Sequence, residues 1–241
     1  LSTKQSSGAQ SDVILAAYAA SRAVAVAAPA ARTTTAFAYT DFGPVGTVVE
    51  DIVVADLGIR TIRFANGVLL NLKKTDFEDN RVRYSLRIDG GRLHFGKDKM
   101  PLALLMAGAY LSGGLQSHDV DDLRSLLAGT TVSPSLSVAD DYFGGTGSVA
   151  PADLERQLQV MAAYTRYPGY ADSALRLFRR PLPEIFARLD ATPGSALSIA
   201  MARIMTDNDP RFALAPLEDI QAADFTKLKS ALGDALTQNR M

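Results

Sequence analysis

The sequence predicts an α+β domain in which helices pack on one face of a mostly antiparallel sheet. Segments with the two-residue alternation of strands and segments with helical periodicity come in blocks, namely strands, helices, strands and helices again. Tight-turn signals join the first strands, and such turns favour antiparallel neighbours over the long crossovers that parallel strands require. No internal repeat with a period of about 20 to 50 residues is visible.

The amino-acid composition is that of a globular protein with a substantial hydrophobic core. Of the 241 residues, 47% are apolar and 21% are charged. The 25 Lys and Arg residues nearly balance the 26 Asp and Glu residues, so no net field draws the chain to nucleic acid or to an anionic membrane. There is no cysteine, and the two histidines are His94 and His118. These counts exclude disulfides, thiolate sites and any site built from a cluster of imidazoles.

Residues 1–37 are predicted to be a linker with an Ala-rich helix from a preceding domain, and residues 38–241 to be the α+β domain itself. Residues 1–11 are small and polar without periodicity, which indicates a flexible lead-in. The Ala-rich helix is expected at about Asp12–Val26, and a run of threonines at 33–35 then indicates an extended linker.

The segment Val13–Ala31 has a second interpretation as a signal peptide, because it is apolar and ends in small residues. Arg22 interrupts the apolar run, so a helix is the interpretation we adopt. No segment has the roughly 18 consecutive apolar residues that indicate a membrane span. We expect a periplasmic or otherwise exported location rather than a cytoplasmic one.

The first strands are predicted from alternation and turn chemistry. Val48–Ala55 is rich in β-branched residues, and Ile59–Phe64 alternates apolar and polar side chains. Asn66-Gly67 then predicts a type I′ turn that leads into a return strand at Val68–Lys73. Arg81–Asp89 alternates in the same way and ends at a Gly-Gly pair. Together these segments predict one antiparallel meander with an apolar and a polar face.

The next segments are helical. Met100–Leu111 is apolar almost all round, so this helix is expected to be buried on most sides before Gly113-Gly114 ends it. Ser117 is predicted to cap a helix that runs through Leu123 to Leu127.

Two further strands and a second group of helices complete the prediction. The strands are expected at Thr130–Val138 and Tyr142–Val149. A helix that begins at Pro151 is expected to bury a stripe of four side chains, which are Leu154, Leu158, Met161 and Thr165. The remaining helices are predicted near Ala171–Leu189, Gly194–Met205 and Ala222–Leu236.

This ordered set of segments resembles the peptidase domain of the M16 (pitrilysin/insulinase-like) zinc metallopeptidase family. The matching stretches are Phe64–Val68, Leu86–Gly91, Leu111–Gly114, Asp121–Arg124, Ser135–Val138 and Leu158–Tyr164. The lead-in Tyr39–Gly43 also looks like the junction that follows a preceding M16 domain. The resemblance covers about residues 38–240 and implies the M16 metallopeptidase fold.

Active members of the family carry H-x-x-E-H on the helix after the Gly-Gly strand. Two histidines four residues apart share a helix face and bind Zn²⁺, while the glutamate acts as general base. Anchored on Gly113, the motif would fall at Leu104–Gly108, yet Leu102–Leu111 contains no His and no Glu. Glu184 lies about where a further glutamate ligand stands in the family, but alone it cannot hold zinc. We therefore predict no catalytic, cofactor-binding or metal-binding residue in this chain.

The resemblance implies a non-catalytic domain of an M16-type zinc metalloprotease. In single-chain members the inactive half closes against the catalytic half around a peptide-sized chamber, and in others the inactive partner is a separate polypeptide. We therefore expect a catalytic H-x-x-E-H-bearing partner half, which holds the zinc, and a peptide substrate bound by strand addition and wall contacts. The alternative is a pure assembly module that never touches peptide.

Other residues offer competing sites. His118 stands beside Asp119, Asp121 and Asp122, where a metal site is conceivable but helix capping explains the aspartates without one. His94 is expected on a polar surface loop. These aspartates and the pair at 140–141 also leave open an unrelated enzyme that uses carboxylates alone.

Three arginines share one face of a predicted strand, namely Arg81, Arg83 and Arg87. They are either solvated charges on the polar face or part of a chamber wall that meets acidic peptide groups.

Overall fold

The computed structural model describes residues 10–24, 36–238 and 241. The described residues fall into two compact units, of which the first contains helix α1 (Gln10–Ala23) and the second contains everything from Ala36 onward. Helix α1 begins before the predicted Asp12, so Gln10 and Ser11 are helical and not part of a flexible lead-in. The predictions for residues 1–9 and 25–35 lie outside the described residues. Among the described helices, none has the length and apolar character needed to cross a bilayer.

The strands of the second unit form two three-stranded antiparallel sheets. The first sheet has the order β1-β2-β3 and the second the order β4-β6-β5. Their bounds are β1 (Val48–Val54), β2 (Ile59–Phe64), β3 (Leu69–Lys73), β4 (Val82–Asp89), β5 (Ser137–Val138) and β6 (Tyr142–Val149). The predicted hairpin between β2 and β3 is confirmed, but its turn is not the predicted type I′, because Gly67 has a positive φ, of 89°, and Asn66 does not. Gly67 instead follows the two central turn residues and donates its N–H to the Phe64 carbonyl.

The single meander predicted from the sequence is wrong, because β4 pairs with β6 and not with β3. The register pairs every residue of β4 with one of β6, from Val82 opposite Val149 to Asp89 opposite Tyr142. Glycines in β6 make this close pairing possible: Tyr84 on β4 lies over Gly147, where a β-carbon would overlap its phenol ring. Strand β6, which is distant in sequence but pairs with β4 along its whole length, therefore takes the place of β3 as the neighbour of β4.

Helices cover one face of the second sheet, so the predicted α+β class is confirmed. Their bounds are α2 (Gly91–Phe95), α3 (Met100–Ala109), α4 (Val120–Leu126), α5 (Leu154–Arg166), α6 (Asp172–Arg179), α7 (Leu182–Ala191), α8 (Pro193–Met205), α9 (Leu217–Ala222), α10 (Phe225–Leu232) and α11 (Ala235–Gln238). The cross-strand pair Ile88 and Phe143 is fully buried beneath them. Helix α3 lies at the centre of the core and packs against α2, α6, α9 and α10.

The predicted strand at Thr130–Val138 shrinks to the two residues of β5. Pro134 has no N–H to give to a ladder. The side chain of Gln157 takes the place of a neighbouring strand at Ser133, accepting a hydrogen bond from its N–H at 2.9 Å and donating to its carbonyl at 3.1 Å. Helix α5 buries Gln157 and Val160, while the predicted core residue Leu158 is 51% exposed.

Three helix boundaries also differ from the prediction. Asp119, and not Ser117, caps α4: its carboxylate accepts from the Asp122 N–H at 2.8 Å in a reciprocal capping box. The helix predicted near Ala171–Leu189 divides into α6 and α7 at Pro181, which cannot donate a helical hydrogen bond. The last predicted helix, near Ala222–Leu236, begins after Asp224, which caps α10, and divides into α10 and α11 at Gly233, whose φ is 49°; α9 precedes it and was not predicted.

Candidate functional site

Helix α3 is the element that would carry the zinc motif, and it exposes only a narrow stripe. Leu105 and Met106 are buried, whereas Leu104, Ala107 and Gly108 are exposed. Residues three and four apart share a helix face. The exposed stripe therefore includes the positions at which the resemblance would place the two histidines and the glutamate of H-x-x-E-H.

The chemistry of this stripe does not fit zinc. None of the side chains at Leu104, Ala107 and Gly108 has an atom that binds a metal or takes a proton. No group of three or more metal-binding side chains occurs anywhere in the part of the chain that the structure describes. That the chain binds no metal stays a prediction, which a metal analysis tests.

The space at the end of the stripe is occupied by an aromatic ring. A β-carbon at Gly108 would lie 2.5 Å and 2.7 Å from the Cε2 and Cδ2 atoms of Phe178 on α6. These distances are well below the carbon–carbon contact distance of about 3.5 to 4.0 Å. A histidine at position 108 would therefore require Phe178 to move.

An apolar groove of about 320 Å³ lies along the stripe, between α3 and α8. Leu104 and Ala107 form its α3 side, and Ile199 and Ala202 form its α8 side. Leu104 is 37% exposed, so the groove opens to solvent. The exposed stripe of α3 thus forms one wall of this groove.

Glu184, the candidate for the distant metal ligand, lies exposed on α7. Its carboxylate is paired with Arg188 one turn later on the same helix. This is the arrangement of a solvated helix residue.

Tyr110, which directly follows α3, and Tyr164 on α5 have structural roles. The Tyr110 hydroxyl donates to the Tyr164 carbonyl at 2.7 Å, and the Tyr164 hydroxyl donates to the Leu111 carbonyl at 3.0 Å. Burial raises the pKa of Tyr110 far above its usual value and the pKa of Tyr164 to about 12. Both phenols stay protonated at neutral pH and therefore cannot act as bases there.

His118 is buried and makes no contact with the neighbouring aspartates. Its Nε2 accepts a hydrogen bond from the Ala38 N–H at 2.9 Å, and its ring stacks on Phe37 at a centroid distance of 5.5 Å. Tyr39 stacks on Tyr167 at 4.9 Å and accepts from the Ser117 N–H at 2.8 Å. His118 therefore anchors the segment 36–42, which we call the strap.

The remaining candidates have structural partners as well. His94 lies on α2 and not in a loop, and its Nε2–H donates to the Ala231 carbonyl at 2.8 Å. Asp121 pairs with Arg124 at 2.7 Å, and Asp140 pairs with Arg92 at 3.3 Å, on the surface in both cases. The structure does not bring these carboxylates together with a nucleophile or a base.

The three strand arginines are exposed and partly engaged. Arg83 forms an ion pair with Glu78, and the guanidinium of Arg87 lies 3.9 Å from the centroid of the Tyr142 ring. Arg81 reaches the Ser148 hydroxyl at 3.4 Å. These contacts are those of a solvated strand face, and a role in a chamber wall stays a prediction.

Comparison with solved structures identifies the fold. The periplasmic protease PqqL from Escherichia coli is similar over 94% of this chain, with a TM-score of 0.73 and 18% identity. The ferredoxin protease FusC, solved in complex with Arabidopsis ferredoxin, is similar over 94% of this chain, with a TM-score of 0.69 and 13% identity. In both cases the match covers 25% of the other chain, so this chain spans about a quarter of their length.

A peptidase M16 inactive domain from Pseudomonas fluorescens is also similar, over 73% of this chain and 43% of that one, with a TM-score of 0.60 and 17% identity. No model of a known protein family matches the sequence, and no curated protein matches it significantly. At these identities the likeness shows the fold, which is that of an M16 peptidase domain.

Proposed function

We propose, from this M16 peptidase fold, that the chain is a non-catalytic domain of an M16-type zinc metalloprotease. In this proposal it pairs with a catalytic half that carries H-x-x-E-H, in the same polypeptide or as a separate subunit, and encloses the peptide substrate with it. Zinc belongs to the catalytic half and not to this chain.

One observation carries the proposal. Helix α3, where the resemblance places the zinc motif of active members, has Leu104, Ala107 and Gly108 on its exposed stripe. An M16 fold with this helix cannot perform the metal-assisted hydrolysis of the family by itself. The likeness to an inactive M16 domain supports the same conclusion.

Pairing with another half is supported by an exposed apolar stripe on α8. Leu197, Met201, Ile204 and Met205 follow one another at helical spacing, and they are between 42% and 76% exposed. Contiguous exposed apolar side chains on a folded domain mark protein contacts. We propose that this stripe faces the catalytic half.

Substrate contact is supported by the groove between α3 and α8. It opens on the face of the domain that bears the peptide-cleaving chemistry in active members, and its apolar walls suit side chains of a peptide. Addition of an extended peptide to a strand edge stays a prediction. An exported location is proposed because one of the similar structures is a periplasmic protease.

The first experiment measures zinc and peptidase activity of the purified chain. We expect zinc far below one equivalent after dialysis and no hydrolysis of a quenched fluorescent peptide library. One tightly held zinc per chain, or peptide hydrolysis that a chelator abolishes, would overturn the proposal.

Pairing is tested by charge substitution on α8. The variant Met201→Lys with Ile204→Lys is expected to lose co-purification with the catalytic half. Leu57→Lys is the matched control, because Leu57 is an exposed apolar residue of the first sheet region, away from α8. Equal recovery of both variants with the catalytic half would refute a role for this stripe.

The alternative of an assembly module is tested by photo-crosslinking a peptide substrate in the assembled protein. Labelling of residues in α3 or α8, reduced by excess unlabelled peptide, supports substrate contact. Labelling confined to the catalytic half favours the assembly module.

A further inference from the structure

The strap is attached to the rest of the domain through side chains. Phe37 and Tyr39 are buried, whereas Ala38 between them is exposed. Within the described part of the chain, no backbone–backbone hydrogen bond joins residues 36–42 to the remainder of the domain. The Ala38 N–H instead donates to the Nε2 of His118 at 2.9 Å. Attachment of the strap therefore depends on what its partner side chains can accept.

The bond from Ala38 defines the protonation state of His118. Its Nε2 accepts a hydrogen bond and so carries no proton, which places the proton of the neutral ring on Nδ1. That Nδ1 is buried, and no group that the structure describes bonds to it. The ring is 2% exposed, stacked on Phe37 with centroids 5.5 Å apart and edge-on to Tyr39 at 5.9 Å. The strap is therefore attached to one tautomer of the neutral imidazole.

Protonation of His118 is incompatible with this contact. An imidazolium ring has an N–H at both nitrogens and no acceptor, so no rotation of the ring restores the bond to the Ala38 N–H. Protonation would also leave a charge in a buried site, which is costly unless other groups compensate for it.

The charged groups around His118 are engaged elsewhere. The carboxylate of Asp119 accepts from the Asp122 N–H at 2.8 Å, and that of Asp122 accepts from the Asp119 N–H at 3.4 Å, so both belong to the cap of α4. On the α5 side, the guanidinium carbon of Arg156 lies 4.8 Å from the centroid of Phe37, the ring on which His118 stacks. A protonated His118 would be a second cation against the same phenyl ring.

The other histidine of the chain has a contact of the opposite kind. The Nε2–H of His94 donates to the Ala231 carbonyl at 2.8 Å. Protonation keeps this N–H, so the contact survives. Of the two histidine contacts, the one that acid removes is therefore the one that holds the strap.

We propose that attachment of the strap depends on pH: the strap is attached while His118 is neutral and detaches when Nε2 takes up a proton. Phe37 and Tyr39 flank Ala38, so they leave with it, and the junction between this domain and the chain before it loosens. The attached state binds one proton fewer than the detached state, so acid favours detachment, by at most about tenfold per pH unit for a single group. This device would operate whether or not the chain pairs with a catalytic half.

Nuclear magnetic resonance and amide exchange of the 241-residue chain test the proposal. Histidine side chains normally change charge between about pH 5 and 8. Nitrogen-15 spectra at about pH 8 should therefore show a proton on Nδ1 of His118 and none on Nε2. The reporter amides are Ala38 and Ser117, whose N–H donates to the Tyr39 hydroxyl at 2.8 Å. Their protection factors, which are corrected for the intrinsic pH dependence of exchange, should both fall towards about pH 5, by up to about tenfold per unit.

His118→Gln separates the acceptor from the titration. An amide oxygen can accept from the Ala38 N–H but takes up no proton in this range, so this variant should keep both amides protected down to about pH 5. His94→Gln is the matched control and should retain the pH dependence of the parent. Urea unfolding establishes that each variant is folded. If His118→Gln does not fold, the tautomer and the exchange of the parent still decide.

Several results would overturn the proposal. One is a proton on Nε2 of His118 at about pH 8, and another is protection in the parent that stays constant down to about pH 5. The same pH dependence in His118→Gln as in the parent has the same meaning. Loss of protection at Ala38 alone, with Ser117 unchanged, shows that the bond breaks without detachment of the strap. An equal loss at the buried core residue Leu105 shows that the whole domain unfolds instead.

Discussion

Replacing Gly108 by alanine tests whether Phe178 keeps this position of α3 free of a side chain. Alanine in a helix interior is favoured over glycine by about 1 kcal/mol. The new β-carbon would lie 2.5 Å and 2.7 Å from two atoms of the Phe178 ring. Overpacking of this kind costs about 1 to 3 kcal/mol. The variant Gly108→Ala is therefore expected to be destabilised by about 0 to 2 kcal/mol.

The same substitution should have the opposite effect once the ring is removed. In a Phe178→Ala background, the strain is absent, and Gly108→Ala is expected to stabilise the domain by about 1 kcal/mol. The double-mutant cycle then gives a coupling of about 1 to 3 kcal/mol between the two positions. Equilibrium urea unfolding followed by circular dichroism measures all four proteins.

Gly194→Ala is the control for the cycle. Gly194 lies in the first turn of α8, and a β-carbon there meets no atom within 4 Å. The control is expected to gain up to about 1 kcal/mol in both backgrounds. If Gly108→Ala stabilises the parent as much as the Phe178→Ala variant, the ring does not restrict position 108 and the steric reasoning is refuted.

Three further predictions follow from contacts elsewhere. The carboxylate of Asp224 accepts hydrogen bonds from the first turn of α10, which lowers its pKa in the folded state. Asp224→Ala should therefore cost about 0.5 to 2 kcal/mol at pH 7. Urea unfolding should show the difference shrinking as the pH falls below about 4, where the unfolded carboxylate takes up a proton, and it should be lost once the pH is below the lowered pKa of the folded state. Gly145→Ala should lower stability by about 1 to 3 kcal/mol, because its β-carbon would overlap the Ser135 carbonyl oxygen; an unchanged melting temperature contradicts this. His118→Phe keeps the ring but removes the acceptor for the Ala38 N–H, so amide exchange at Ala38 should accelerate at a stability cost of about 0.5 to 1.5 kcal/mol.

Local signals predicted much of the fold. The Asn-Gly hairpin, the β-branched residues of β1, the alternation of β2 and β4, and the all-round apolar character of Met100–Leu111 each encode a structure within a few residues. The absence of His and Glu from Leu102–Leu111 is equally local, because it can be read from the residues just before Gly113.

The errors concern contacts between distant segments. The amide of Gln157 bonds to Ser133, where a longer strand was predicted, and α5 buries this polar residue, which hydropathy places outside. The pairing of β4 with β6 depends on glycines some sixty residues away, at Gly144, Gly145 and Gly147. His118 looked like a helix-start residue because its partner, Ala38, is 80 positions earlier in the chain. Nothing in the residues next to these positions specifies such partners.

The strap determines how tension along the chain reaches the domain. A pull on residues before Ala36 loads the stacked rings of Phe37 and Tyr39 and the hydrogen bond at His118 before it reaches the first sheet. These rings contact Arg156 of α5, Tyr167 directly after α5, and Ser117 before α4, so several contacts would share the load. Motion of a preceding segment would thus act first on the helical layer. The β1–β2–β3 sheet follows the strap in the chain, and a force would reach it only after the contacts of the strap.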